Sequence, residues 1–342
     1  MRRTPDTQLP LRRRRLLAGG VALATAVVLA ACGSDGGDAP AAAGSATPSD
    51  GPWSYTDDLG ETVELDKTPV RIAAYGDAAA ALWNFGVTPV AIFTWMDPAK
   101  DSMFDGLDLA ETEVVGKVYG EISLEKLAAA KPDIIVATSY TGDTPDEMYG
   151  FKDKTQLAKI KEIAPVVAVA QVGSMKDVIA TNEKLVASLG VDTGDGSQVA
   201  EDKAAFQAAS DDLSKAAESG LSVVPMYADG EGLYLAKAPD DPQLKYYEDI
   251  GVNFTKIGGK DYYWEILSWE NADRYEADIY LNATRNSYST DQLGEQPTFA
   301  RLAAYQDGQI HDWKSVSMDY PSQTTYMEEL AGWLASDKDI VS

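Results

Sequence analysis

Histidine and cysteine are almost missing from this sequence: His311 and Cys32 are the sole examples of each. A structural zinc centre takes about four Cys or His ligands. Such a centre, or a His-rich manganese or zinc receptor site, is therefore excluded. A Ser-His-Asp triad would have to be built on His311 alone. His311 lies in Gln309-Ile-His-Asp-Trp, at an expected strand end, with no nucleophile or acid marked beside it. A surface or capping role fits it better than catalysis. Positive charge is also scarce, with 29 Lys and Arg against 54 Asp and Glu and a net charge of −25. That acidity argues against nucleic acid and against attraction to anionic head groups, and it permits a neutral or cationic small ligand. Long apolar runs are lacking too. The longest, Leu16 to Ala31, has 16 residues, short of the roughly 20 needed to cross a bilayer as a helix.

That run follows six arginines between residues 2 and 15, four of them consecutive at Arg12 to Arg15. A basic segment, an apolar core and a small-residue exit define residues 1–31 as a secretory signal peptide. Its end, Leu29-Ala30-Ala31-Cys32-Gly33, resembles the lipobox of bacterial lipoproteins, which implies that Cys32 is lipidated and becomes the first mature residue. The Arg-Arg-Leu-Leu of the basic run leaves the Sec and twin-arginine routes both open. Losing six Arg and one Asp with the leader moves the net charge from −25 to −30. Residues 32–52 are rich in Gly, Ala, Ser, Asp and Pro, a flexible tether spanning on the order of 25 Å. The mature protein is then expected on the extracytoplasmic face of the membrane, held by lipid rather than spanning it.

The remaining chain is organised around Ser123 to Ala137, which reads as a capped helix and a buried strand. Ser123 is the N-cap, Glu125 lies in the first turn, Pro132 stops the helix, and Ile134-Ile135-Val136 suits a strand covered on both faces. The same order returns 145 residues later, in Ser268-Trp-Glu270 and onward to Asp278-Ile-Tyr-Leu-Asn282. Two related α/β halves with a cleft between them are expected, as residues 53–198 and 220–342. The first half offers strands at Val70 to Ala74, Pro89 to Thr94, Glu113 to Gly116, Asp133 to Ala137 and Val166 to Ala170, after a lead-in strand at Thr62 to Leu65. Helices are expected at Asp77 to Phe85, from Ser123, at Gln156 to Ile163 and at Ser174 to Leu189. Such alternation implies a mostly parallel sheet covered on both faces. Residues 199–219 form the longest helical pattern, about 31 Å, placed to bridge the halves. The second half offers strands at Leu221 to Tyr227, Gly232 to Ala236, Asn253 to Ile257, Asp278 to Asn282 and Gly308 to Trp313. Its helices are Asp241 to Ile250, one from Ser268, Phe299 to Tyr305 and Pro321 to Leu334.

Arg71-Ile-Ala-Ala-Tyr-Gly, the Gly86-Val-Thr-Pro turn, Glu121 to Ala137, Leu267-Ser-Trp-Glu270 and Gly308 to Trp313 together resemble one family. The family is that of substrate-binding lipoproteins of ABC importers for ferric siderophores and cobalamin. The resemblance covers about Trp53 to Leu334. It implies two parallel-sheet lobes joined by a single long α-helix, a ligand cleft between them and little hinge motion. It implies no catalysis, no cofactor beyond iron carried inside the ligand, and a monomer. It also implies that Glu125 and Glu270 meet arginines of an ABC permease dimer, which works with its ATPase. In open parallel sheets, ligands sit beyond the carboxyl ends of the strands. Those ends carry Tyr75, Trp95, Tyr119, Tyr140, Tyr227, Trp264, Arg285, Tyr288, Trp313 and Tyr320, of which about half are expected to touch ligand. Only Lys117 and Arg285 are basic there. An anionic ferric tris-catecholate wants several converging cations, so a neutral ferric trihydroxamate is favoured, with Arg285 either as donor to its oxygens or in an ion pair with a neighbouring carboxylate. Cobalamin or haem is the alternative on the same fold.

Overall fold

Short segments of two to seven residues form the strands, and a computed structural model describes where they pair across residues 50–143 and 148–341. Cys32, the leader and most of the tether lie outside the described residues. The chain opens with an antiparallel hairpin of β1 (Trp53–Thr56) and β2 (Thr62–Leu65). The first sheet is parallel throughout. It contains β3 (Ile72–Tyr75), β4 (Ala91–Phe93), β5 (Glu113–Gly116), β6 (Ile134–Ser139) and β7 (Val166–Ala170), in the order β5-β4-β3-β6-β7. Strand β6 is buried at all six positions, as a strand covered on both faces should be. Around this sheet lie α1 (Gly76–Asn84), α2 (Leu124–Ala129), α3 (Lys154–Lys161) and α4 (Met175–Ser188). Then α5 (Gln198–Ala216), capped by Ser197, carries the chain to the second lobe.

The second sheet contains β8 (Ser222–Ala228), β9 (Leu233–Ala236), β10 (Asn253–Phe254), β11 (Trp264–Leu267), β12 (Ile279–Ala283) and β13 (Ile310–Trp313). Its order is β11-β9-β8-β12-β13, with β10 beside the start of β8. This sheet is mixed rather than parallel: β9 and β11 run antiparallel at one side. Helices α6 (Pro242–Asp249), α7 (Thr290–Gly294), α8 (Ala303–Asp307) and α9 (Tyr320–Ser336) complete it. The strands β1 and β11 and the short α7 were not expected, and the expected helix over Phe299 to Tyr305 is split into a 3-10 turn and α8. The second Ser-x-Glu segment also departs from expectation. It forms only a 3-10 turn, Trp269–Asn271, in which the Asn271 amide donates to Ser268 Oγ and the Trp269 indole donates to the carbonyl of Asp229.

The two halves nevertheless share one device. Asp133, just before β6, accepts the backbone N–H groups of Val70 and Arg71 ahead of β3. Asp278, just before β12, accepts the N–H and hydroxyl of Ser222 at the start of β8. In each sheet the same acid pins the same pair of central strands. Asp278 further accepts the N–H groups of Ile340 and Val341, tying down the C-terminal tail. Burial opposes its charge, but these donors outweigh burial and lower its pKa.

A hydrophobic core runs continuously from one lobe to the other. Tyr320, at the start of α9, packs edge-on against Phe85 after α1 (5.8 Å) and Phe206 of α5 (5.5 Å), and Phe206 also meets Tyr246 of α6 (5.8 Å). Polar ties cross the same seam. Asn84 Nδ2 donates to Asp319 Oδ2 (2.9 Å), and Asn182 Nδ2 donates to the carbonyl of Met318 (2.9 Å). Asp319 is fully buried, and burial pushes its pKa up to about 6 despite donors from Ser317, Asn84 and Ser322. A folded-state pKa above the unfolded value near 4 means that its contribution is fully present below pH 4 and is lost as pH rises through 6. Urea unfolding should therefore show the native chain losing up to about 3 kcal/mol between pH 4 and 7 relative to Asp319→Asn, which still caps α9. Parallel pH profiles for the two proteins would contradict this.

Candidate functional site

The carboxyl ends of both sheets face a cavity of about 760 Å³. Seven of the ten residues expected from sequence line it: six aromatics, Tyr75, Trp95 and Tyr140 from the first lobe and Tyr227, Trp264 and Trp313 from the second, and one cation, Arg285. On the second-lobe side, Trp264 stands edge-on to Trp313 (6.3 Å), Tyr263 (4.6 Å) and Tyr234 (6.3 Å). On the first-lobe side, Tyr149 collects three rings edge-on: Tyr75 (5.6 Å), Tyr119 (5.0 Å) and Tyr140 (4.9 Å). Interlocked edge-to-face rings form rigid walls with little rotamer freedom left to lose.

Tyr149 was missed from sequence. Tyr149 pairs with Thr138 through a single β-bridge, a contact between chain segments that no local pattern marks. Its neighbour Gly150 has φ +90°, and a Cβ there would lie 2.5 Å from the Tyr75 ring, so only glycine lets that ring settle. Tyr263 (φ +67°) and Asn286 (φ +56°) also line the cavity. Two of the three described non-glycine residues with positive φ thus sit at this site, where backbone strain tends to gather. Tyr263 is held in place by its N–H on Asp240 and its hydroxyl on Asp241.

Three expected residues stand elsewhere. Tyr320 is buried in the seam between the lobes, with its hydroxyl on Glu183 Oε2 (2.6 Å). As the first residue of α9 it points into the core rather than the cleft. Tyr288 stacks flat on Trp269 (5.8 Å, 12°), outside the cavity. Tyr119 lines a smaller neighbouring cavity of about 390 Å³, which shares Tyr140 and Tyr149 with the first. Lys117 is exposed and pairs with Asp97 (3.3 Å).

Arg285 decides the electrostatics. Its fork is closed on a carboxylate from the opposite lobe: Nε donates to Asp101 Oδ1 (2.9 Å), and a terminal nitrogen donates to Oδ2 (2.8 Å). The same nitrogen lies 3.6 Å from Asp77 Oδ1, and the guanidinium sits 5.6 Å from the Trp95 ring centre. Tyr140 completes the chain by donating to Asp77 Oδ2 (2.6 Å). Burial works against the charge on Arg285, but Asp77 and Asp101 outweigh it and raise its pKa. The other cation at the cavity, Lys314, is spent on Glu329 (2.6 Å). Asp240 and Asp241 add acid, and burial raises the pKa of Asp241. Each cation that lines the cavity among the described residues is therefore already paired. The Tyr75 hydroxyl, by contrast, is buried and has no partner among the described residues. Among those residues, no three His, Cys, Asp or Glu side chains are grouped to hold a metal ion.

His311 lies away from the cavity, hydrogen-bonded to Asp337 Oδ2 (2.6 Å) and stacked on Trp333 (4.5 Å, 4°) at the end of α9. Glu125 and Glu270 are both exposed. The N–H of Glu270 and the Ser268 hydroxyl lower the pKa of Glu270.

A profile of periplasmic binding proteins matches residues 79–316 of this chain. The chain belongs to the periplasmic binding protein family. Among relatives of this substrate-binding protein is the Fe(3+)-citrate-binding protein YfmC of Bacillus subtilis (strain 168). It is 22% identical over 262 residues, which cover 75% of this chain and 76% of that protein. DesE, a ferric-siderophore receptor protein from Streptomyces coelicolor, has a TM-score of 0.77 at 27% identity, covering 84% of this chain and 99% of its own. FhuD2 from Staphylococcus aureus, solved with bound ferrioxamine B, shares the fold with a TM-score of 0.56 at 18% identity. It covers 78% of this chain and 98% of its own. Like these, the periplasmic binding protein described here is a binding protein and not an enzyme.

Removing one member of the Arg285 pair leaves the other charge buried and alone. Arg285→Ala should therefore lower stability by about 3 kcal/mol, measured by urea unfolding at pH 7. A loss below about 1 kcal/mol would mean that the pair contributes no more than a surface ion pair.

Proposed function

We propose that this protein captures a ferric siderophore of the hydroxamate type in the cleft and delivers it to an ABC permease. The observation that carries the reading is a cavity with aromatic walls from both lobes whose cations are all paired internally. Its volume lies within the roughly 300–1,000 Å³ usual for small-molecule sites. A ferric trihydroxamate is neutral at iron, so its apolar outer surface can lie on Trp264, Trp313 and Tyr149 with no converging cations needed. Arg285 shapes the floor rather than donating its fork. Iron arrives already chelated, so no side chain of the protein need coordinate it. The description of DesE as a ferric-siderophore receptor supports a ferric siderophore as the ligand.

Tryptophan fluorescence titration with ferrioxamine-type ligands, ferric citrate, cobalamin and haem tests this reading. A ferric hydroxamate should bind most tightly and quench, and Trp264→Ala should cost about 2 kcal/mol, roughly 30-fold in Kd. Preferential binding of cobalamin, haem or ferric citrate would overturn it.

Cys32 anchors the mature chain to the extracytoplasmic face of the membrane, and residues 33–52 act as its tether. Glu125 and Glu270, exposed one on each lobe, dock on the permease dimer. In cells, Cys32→Ala should release folded protein from the membrane fraction. Reversing both glutamates should abolish siderophore uptake while leaving affinity in solution intact; sustained uptake would place docking elsewhere.

A further inference from the structure

Arg285 is the cavity's single guanidinium, and the way it is held sets which ligands it can serve. Asp101 lies between two 3-10 turns, Pro98–Lys100 and Ser102–Phe104, with its side chain 3% exposed. Its Oδ1 also accepts the N–H of Met103 (3.1 Å), so its own loop fixes the carboxylate in place. It reaches across the cleft to fill both parallel donor positions of the Arg285 fork. Asp77 flanks the same guanidinium, leaving two carboxylates around one cation.

We propose that Asp101 is a specificity-determining residue that withholds Arg285 from the ligand and so makes the cleft reject anionic ferric chelates. The inference rests on the ferric-chelate reading of the cleft. A chelate bearing carboxylates or catecholate oxygens has two ways in, and each is unfavourable. It can displace Asp101 from the fork, which strands a buried carboxylate without its partner. Alternatively it can settle beside Asp77 and Asp101 with the fork closed, charge against like charge in a poorly solvated place. A neutral trihydroxamate chelate meets neither cost. The scarcity of cations in the cavity is thus enforced: the sequence does supply a guanidinium, and the fold neutralises it from the other lobe.

A mere brace between the lobes would behave differently, since weakening it would lower stability and every affinity together. The discriminating quantity is the ratio of dissociation constants for a ferric tris-catecholate and a neutral ferric trihydroxamate, measured by fluorescence titration of the purified protein. Asp101→Asn should lower that ratio by about 10- to 100-fold, the gain from freeing a charged donor. Adding Arg285→Gln to Asp101→Asn should abolish the gain, since the freed fork is its source. Asp101→Ser can still cap Met103, and it is the second variant should Asp101→Asn fail to fold on thermal unfolding. An unchanged ratio in the folded variants overturns the inference, as does a gain that survives loss of Arg285. A parent protein that binds both chelates equally overturns it while leaving the ferric-chelate reading standing. A parent that binds no ferric chelate overturns that reading and the inference with it.

Discussion

The cleft depends on one shared hydrophobic core. Residues of α1, α4, α5, α6 and α9 pack into a single cluster that reaches both sheets, with Tyr320 between Phe85 and Phe206 at its centre. Opening the lobes would pull these rings apart and expose them, at roughly 25 cal/mol for each Å² of apolar surface. Asn84, Asn182 and the pair of Lys203 with Glu183 add polar ties around the same seam. The single crossing helix α5 therefore does not act as a loose tether between independent bodies. The site arrives largely formed, and little binding energy is diverted to closing it.

Given a fixed cleft, its chemistry follows from what the walls leave unpaired. The rings are locked edge to face, the cations are paired, and the acids are held by donors such as Tyr140 on Asp77 and Tyr263 on Asp240 and Asp241. What remains for a ligand is mainly apolar and aromatic area. This is recognition by shape and desolvation, in which charge acts mainly to refuse the wrong partner. A neutral chelate would meet an acidic body of this kind without electrostatic steering.

The parallel core was legible because β-branched runs buried on both faces have few other fates, as in β6 and β7. The duplicated Asp133 and Asp278 were legible as a repeat, though their shared task of pinning the central strand emerges only once the sheets are paired. Strand β11 was hidden because it is an edge strand made by pairing with β9, with Ile266 exposed on its outer face. The second Ser-x-Glu segment reads as a helix, but Trp269 is held by Asp229 and Tyr288, and the turn stops after three residues. Tyr320 looked like a rim residue by its position after a strand; the first turn of α9 aims it inward. Nothing local to Arg285 names Asp101, 184 residues away, as its partner.

A preformed aromatic cleft can hold a complete ferric chelate with no protein ligand on the metal. A crystal structure of the protein with a ferric trihydroxamate tests this most directly. The chelate is expected between Trp264 and Trp313 on one side and Tyr140 and Tyr149 on the other, with six hydroxamate oxygens on iron and the fork of Arg285 still closed on Asp101. A protein oxygen or nitrogen bound to the iron, or a chelate seated outside this cavity, would contradict it.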